Sequence, residues 1–185
     1  MQCKDIIKII EQDYSPRYAL SWDNVGLLAG RDDKEVANIY VALDATDEVV
    51  DEAILAGADM LVTHHPLIFS GMKQVNNQNF IGRRLVKLIQ HDISYYAMHT
   101  NYDVKGMADL AADYLKLENC QILDVTGENE SGEPEGIGEA VLFPGAERGS
   151  RERHRFHQGE RVPSHCRYLL CRLGQGNGKA AGDAF

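Results

Sequence analysis

Two adjacent histidines close an apolar run, Met60-Leu61-Val62-Thr63-His64-His65-Pro66. A second imidazole–carboxylate set follows the next such run, Ala97-Met98-His99-Thr100-Asn101-Tyr102-Asp103. Neutral imidazole and carboxylate are ligands of first-row transition metals, so the two segments carry the raw material of a metal site. Neighbouring residues on a regular strand point to opposite faces. His64 and His65 therefore share a pocket only if the strand ends there, which Pro66 favours by removing a ladder donor and holding His65 extended. Imidazoles splayed from one dipeptide suit two ions roughly 3.5–4 Å apart better than one chelated ion. Asp103 would add a carboxylate from the neighbouring strand end. His99 is read as a donor that holds Asp103 in place or as a proton-transfer group, in preference to a direct ligand.

The elements that must position these residues follow from the apolar patterning. Ile6, Ile7, Ile9 and Ile10 predict a short amphipathic helix that stops before Pro16. Ser21-Trp22-Asp23-Asn24 reads as a turn whose side chains bond their own backbone, leading into the apolar stretch 25–29. Residues 36–43 read as a buried strand closed by Asp44, and Thr46 as the N-cap of a helix ending near Gly57. Strands are expected at 60–63 and 93–98, helices at 80–90 and 107–117, and short strands at 121–125 and 137–143 around a polar turn region at 127–136. This alternation predicts an α/β sandwich with a largely parallel sheet. Sites in such sheets form at the carboxyl ends of strands, where His64, His65, His99, Asp103 and Asp44 all fall.

Bulk properties exclude several classes. The net charge of −9 argues against nucleic-acid binding as the main function. No apolar run is long enough to span a membrane, and the first residues lack the apolar core of a signal peptide, so a cytoplasmic location is expected. Cys3, Cys120, Cys166 and Cys171 are scattered without CxxC spacing and read as reduced thiols. Phosphate-loop, dinucleotide and nucleophile-elbow motifs are absent from the sequence. Residues 146–185 carry 8 Lys+Arg against 4 Asp+Glu, unlike the acidic remainder, and lose the hydrophobic patterning. Two units are expected: an α/β metal-binding domain over 1–143 and an anomalous, poorly structured basic tail over 144–185.

Four stretches together resemble one family, the dinuclear-metal, ring-forming proteins called GTP cyclohydrolase 1 type 2 homolog, or NIF-three-like. They are Ser21-Trp22-Asp23-Asn24-Val25-Gly26-Leu27, Ala42-Leu43-Asp44-Ala45-Thr46, Thr63-His64-His65-Pro66-Leu67-Ile68-Phe69 and His99-Thr100-Asn101-Tyr102-Asp103. The resemblance covers about residues 1–143. It implies a fold of two related α/β halves, a homohexameric ring and two divalent ions (zinc, manganese or iron). His64 would bind one ion, His65 the other, and Asp103 would join the first. Family members complete the centre with a carboxyl-terminal His-x-x-x-Glu, which this sequence lacks. A truncated or frame-disrupted member, with an incomplete site, is the expectation. The implied activity is hydrolysis of a nucleotide or another phosphoester, and the competing expectations are a non-catalytic metal-binding or assembly protein and an inactive fragment.

Overall fold

The structure is a computed structural model that describes residues 1–117, 120–129 and 131–141. These residues divide into two compact units, Met1–Met107 and a second beginning at Ala108. The expected boundary at 143/144 and the basic tail lie outside the described residues.

The first unit is built on a four-stranded sheet in the order β1-β4-β3-β2. Its strands are β1 (Gly26–Ala29), β2 (Ile39–Ala42), β3 (Met60–Thr63) and β4 (Ser94–Ala97). β2, β3 and β4 run parallel, and β1 runs antiparallel to β4. The sheet is thus largely parallel, as the alternation of elements implied. β3 and β4 are buried at every position because both faces are covered. On one face α1 (Cys3–Asp13) supplies Ile6, Ile7 and Ile10, which pack with Met60, Val62 and Tyr96. On the other, Val50 of α2 (Asp47–Leu55) and Leu85 and Leu88 of α3 (Phe80–Gln90) pack with Leu61, Tyr95 and Ala97. In β3 and β4 neighbouring positions divide between the two cores, Met60, Val62 and Tyr96 on one face and Leu61, Tyr95 and Ala97 on the other, as a period of two requires.

Local chemistry sets the ends of the helices. Thr46 caps α2 by accepting from Val49 N, as its residue type predicted. Asn79 does the same for α3 through Gly82 N. Asp47 then pairs with Arg83 at 2.9 Å and Arg84 at 3.1 Å, joining the start of α2 to α3. Gly30, at φ +88°, sits where a Cβ would come within 2.8 Å of the Ser94 backbone, so β1 approaches β4 only because this residue has no side chain.

One strand differs from its reading. Residues 36–43 do not form a buried strand; β2 is four residues long at the outer edge of the sheet, and Val41 is 72% exposed. Its apolar composition matches a central strand, and only sheet order puts it outside. The second unit contains α5 (Ala108–Leu115) and an antiparallel hairpin of β5 (Cys120–Glu128) and β6 (Pro134–Val141). The hairpin is longer and its turn shorter than the polar composition at 127–136 suggested. Asn129 closes that turn by accepting from Ser131 N and Glu133 N. Among the described residues no helix is long and apolar enough to cross a membrane.

Candidate metal centre

Strand register brings the site together. Thr63 pairs with Ala97, Ala42 with Thr63 and Gly26 with Ala97, so four chain segments meet at one edge of the sheet. His64 and His65 leave β3 there, His99 follows β4, and Asp44 follows β2. Trp22, Asp23 and Asn24 enter the same edge because β1 runs in the opposite sense.

β3 ends at Thr63, and the backbone turns through the two histidines. Their rings end 4.9 Å apart, tilted by 55°, instead of on opposite faces. A buried tyrosine shapes this turn. The Tyr95 hydroxyl accepts from Leu67 N at 2.8 Å and lies 2.8 Å from Thr63 Oγ1 and 3.2 Å from the His65 carbonyl oxygen. Thr63 Oγ1 also donates to that carbonyl at 2.9 Å. Residue type alone gave no sign of this role for Tyr95.

His64, His65 and His99 form one cluster, each offering a ligand atom within 4.8 Å of the others. Two of these imidazoles are oriented by carboxylates. His65 Nδ1 donates to Asp44 Oδ1 at 2.7 Å, and His99 Nδ1 donates to Asp23 Oδ1 at 3.0 Å. With Nδ1 protonated, Nε2 of a neutral ring keeps its lone pair for a ligand. Asp23 is well suited to this task. Its side chain is fully buried, and it also accepts from Asn24 N, Thr100 N and Thr100 Oγ1. Burial raises its pKa, but the bonds from His99, Thr100 and Asn24 outweigh that and hold it at about 2.

Asp103 opens a π-helical turn, Asp103–Met107, directly after the short helix α4 (Thr100–Tyr102). Its Oδ1 lies 3.5 Å from His64 Nε2, too long for a hydrogen bond of useful strength. Burial drives both groups toward their neutral forms: His64 falls to about 4 and Asp103 rises to about 6. Among the described buried side-chain atoms, His64 Nδ1 and Asp103 Oδ1 have no hydrogen-bond partner. A buried imidazole and a buried carboxylate oxygen left without partners, beside two carboxylate-oriented imidazoles, are a donor set that fits a dication.

The structure brings His64, His65 and His99 into one cluster, with Asp103 Oδ1 3.5 Å from His64 Nε2. The carboxylate that bonds the His99 ring is Asp23, not Asp103. The turn-forming role read for Asp23 holds through its bond to Asn24 N, but its bonds to residues 76 and 77 positions away could be seen only once β1 was known to run antiparallel.

A family model, Duf34/NIF3 (NGG1p interacting factor 3), matches residues 1–184. The chain belongs to the Duf34/NIF3 family. The match runs well past residue 143, where the resemblance in the sequence faded. Among curated relatives, a GTP cyclohydrolase 1 type 2 homolog of Staphylococcus aureus is 43% identical over 126 residues, covering 67% of this chain and 34% of the relative. One from Bacillus subtilis is 40% identical over 126 residues, covering 66% and 34%. Among solved structures, a Bacillus cereus protein related to NIF3 aligns with a TM-score of 0.64 at 41% identity, covering 68% of this chain and 35% of that one. Reduced HcgD from Methanocaldococcus jannaschii aligns at 0.62 and 35% identity, covering 66% and 50%. This Duf34/NIF3 chain spans about a third of the length of the curated relatives it matches.

Proposed function

We propose that the chain is a divalent-metal-binding protein whose His64, His65 and Asp103 contribute to a dinuclear centre, with zinc, manganese or iron as the ions. The observation that carries this reading is the cluster of three imidazoles, two of them backed by carboxylates, beside a buried Asp103 oxygen with no hydrogen-bond partner. In the reading, His64 and Asp103 serve one ion and His65 the other. His99, held by Asp23 with its ring 5.1 Å from that of His64 and 5.6 Å from that of His65, would relay a proton or add a ligand. A bound dication would supply a water of lowered pKa, the nucleophile of two-metal hydrolysis. The substrate in this reading is a nucleotide or another phosphoester, consistent with the name that the curated relatives carry. The family ring, a homohexamer, is the assembly proposed for it.

A second reading, a non-catalytic metal-binding or assembly protein or an inactive fragment, asks for no more than the histidine cluster itself. Metal titration of the purified chain, followed by a turnover screen against nucleotides and phosphoesters, separates the readings. Turnover that disappears in His64→Ala, His65→Ala and Asp103→Ala supports the hydrolase. Metal uptake without turnover supports the second reading, and no metal uptake overturns both metal-binding versions.

A further inference from the structure

β2 is the outermost strand of its sheet, and among the described residues no strand pairs with its free edge. Its other edge runs in unbroken register with β3. The carbonyl oxygens of Asn38 and Ala42 accept from amides of residues 59, 60 and 64 on that inner side. By the alternation of a strand, the N–H and C=O groups of Ile39 and Val41 face outward. Sheet edges are ordinarily blunted by lysine, proline or a bulge. The run Val36-Ala37-Asn38-Ile39-Tyr40-Val41-Ala42-Leu43 holds no charged residue and no proline. Its alternate residues Ile39, Val41 and Leu43, which share one face, are 45%, 72% and 61% exposed. A depression of about 410 Å³ opens beside the start of the strand, lined by Ala37, Asn38, Ile39, Tyr40, Ala56 and Ala58. One strand therefore carries an apolar knob, Leu43, at its end and a hollow of small residues at its start.

We propose that β2 pairs antiparallel with β2 of a second copy of this chain, about a two-fold axis at Tyr40. Antiparallel order brings the end of each strand to the start of the other, so knob and hollow meet twice across the axis, as a self-complementary interface requires. A foreign strand has no such reason to fit both. With Tyr40 opposite Tyr40, Ile39 lies across from Val41, and Leu43 lies across from Ala37 at the hollow. Ile39 and Val41, whose backbone groups face outward, make the doubly hydrogen-bonded pairs. The net charge of −9 adds little repulsion here, because none of the charged residues lies in the run. Three half-exposed aliphatic side chains and four backbone bonds fall short of the ~800 Å² per partner of a standard interface, so the pair is weak and concentration-dependent. The contact is independent of the metal-binding reading.

Sedimentation of the whole chain over a concentration series should show a monomer–dimer equilibrium with a dissociation constant of roughly 1–100 μM. Val41→Lys puts a charge on the free edge and Leu43→Ser removes the knob; each should weaken the dimer by about 10-fold or more. Ile89→Lys, at an exposed apolar position of α3, should leave it unchanged. Thermal midpoints at the dilute end confirm that each variant folds. Tyr40→Cys should form a covalent dimer with an added oxidant, because the Cα atoms of a non-hydrogen-bonded antiparallel pair lie ~4.5 Å apart, within disulfide reach. Wild type, with its four native cysteines, is the control. A monomer throughout, wild-type association in Val41→Lys or Leu43→Ser, an equal loss in Ile89→Lys, or no added cross-link in Tyr40→Cys overturns the proposal. A hexamer that survives Val41→Lys sinks this edge and leaves the proposed ring. A dimer that Val41→Lys dissolves, with no larger species, supports the edge and removes the ring.

Discussion

Replacing Asp103 by asparagine should make the metal-free protein more stable while weakening its hold on a divalent cation. The Asp103 carboxyl is buried beside a neutral His64, with one oxygen lacking any hydrogen-bond partner. Burial raises its pKa from 3.8 to about 6. A group whose folded pKa is raised holds its proton more tightly in the native state, so stability falls as pH rises between the two values. The shift corresponds to about 3 kcal/mol, absent below pH 4 and complete by pH 7. Asparagine has nearly the same shape, carries no charge, and can donate from Nδ2 to His64 Nε2, which lies 3.5 Å from the present carboxylate oxygen. The assay is urea unfolding of wild type and Asp103→Asn in chelator across pH 4–8. The variant should gain about 2–3 kcal/mol on wild type between the two ends of that range, since His64 titrates in both proteins. Metal affinity, by calorimetry at pH 7.5, should fall. A difference in stability that does not change with pH, or a variant that loses ground above pH 6, would refute the argument that this carboxylate is held at the expense of the fold.

Asp23→Asn should act in the opposite sense. Both Asp23 oxygens face a backbone N–H, that of Asn24 or Thr100, so an amide group must turn its NH2 on one of them. The expected loss is roughly 1–3 kcal/mol in denaturant unfolding, with metal binding weakened about 10–100-fold as His99 loses its orienting carboxylate. Unchanged metal affinity would remove Asp23 from the site. Tyr95→Phe deletes only the hydroxyl that holds Leu67 N and the Thr63–His65 turn. It should cost about 1–2 kcal/mol of stability and shift the d–d absorption of a cobalt-loaded protein, because the two imidazoles lose their fixed spacing. An identical spectrum would contradict this. Hydrogen bonds from Arg83 and then Arg84 hold the partly buried Asp47 carboxyl at about 2, against 3.8 unperturbed. Its contribution is present above pH 3.8 and lost as pH falls toward 2, so Asp47→Asn should lower the thermal midpoint at pH 6 and converge with wild type under acid; equal midpoints at pH 6 would disprove it.

The primary structure alone placed the helices and the inner strands, because their apolar residues repeat with periods that backbone geometry imposes. It also singled out His64, His65 and Asp103 as candidates, since ligand types sat just beyond apolar runs that read as strands. It misjudged β2, whose residues suit a central strand but whose place at the sheet edge is set by partners distant in sequence. It credited Asp23 with a local turn and gave Tyr95 no role. Those assignments depend on β1 running antiparallel to β4 and on the pairing of Thr63 with Ala97, which bring residues 23, 44, 64, 65, 95 and 99 to one edge. Periodicity fixes which face of an element is buried. Strand order and direction, chosen by the collective packing of two cores, decide which side chains meet, and so the second set of hydrogen bonds that turns three histidines into a candidate metal centre became visible only in the folded chain.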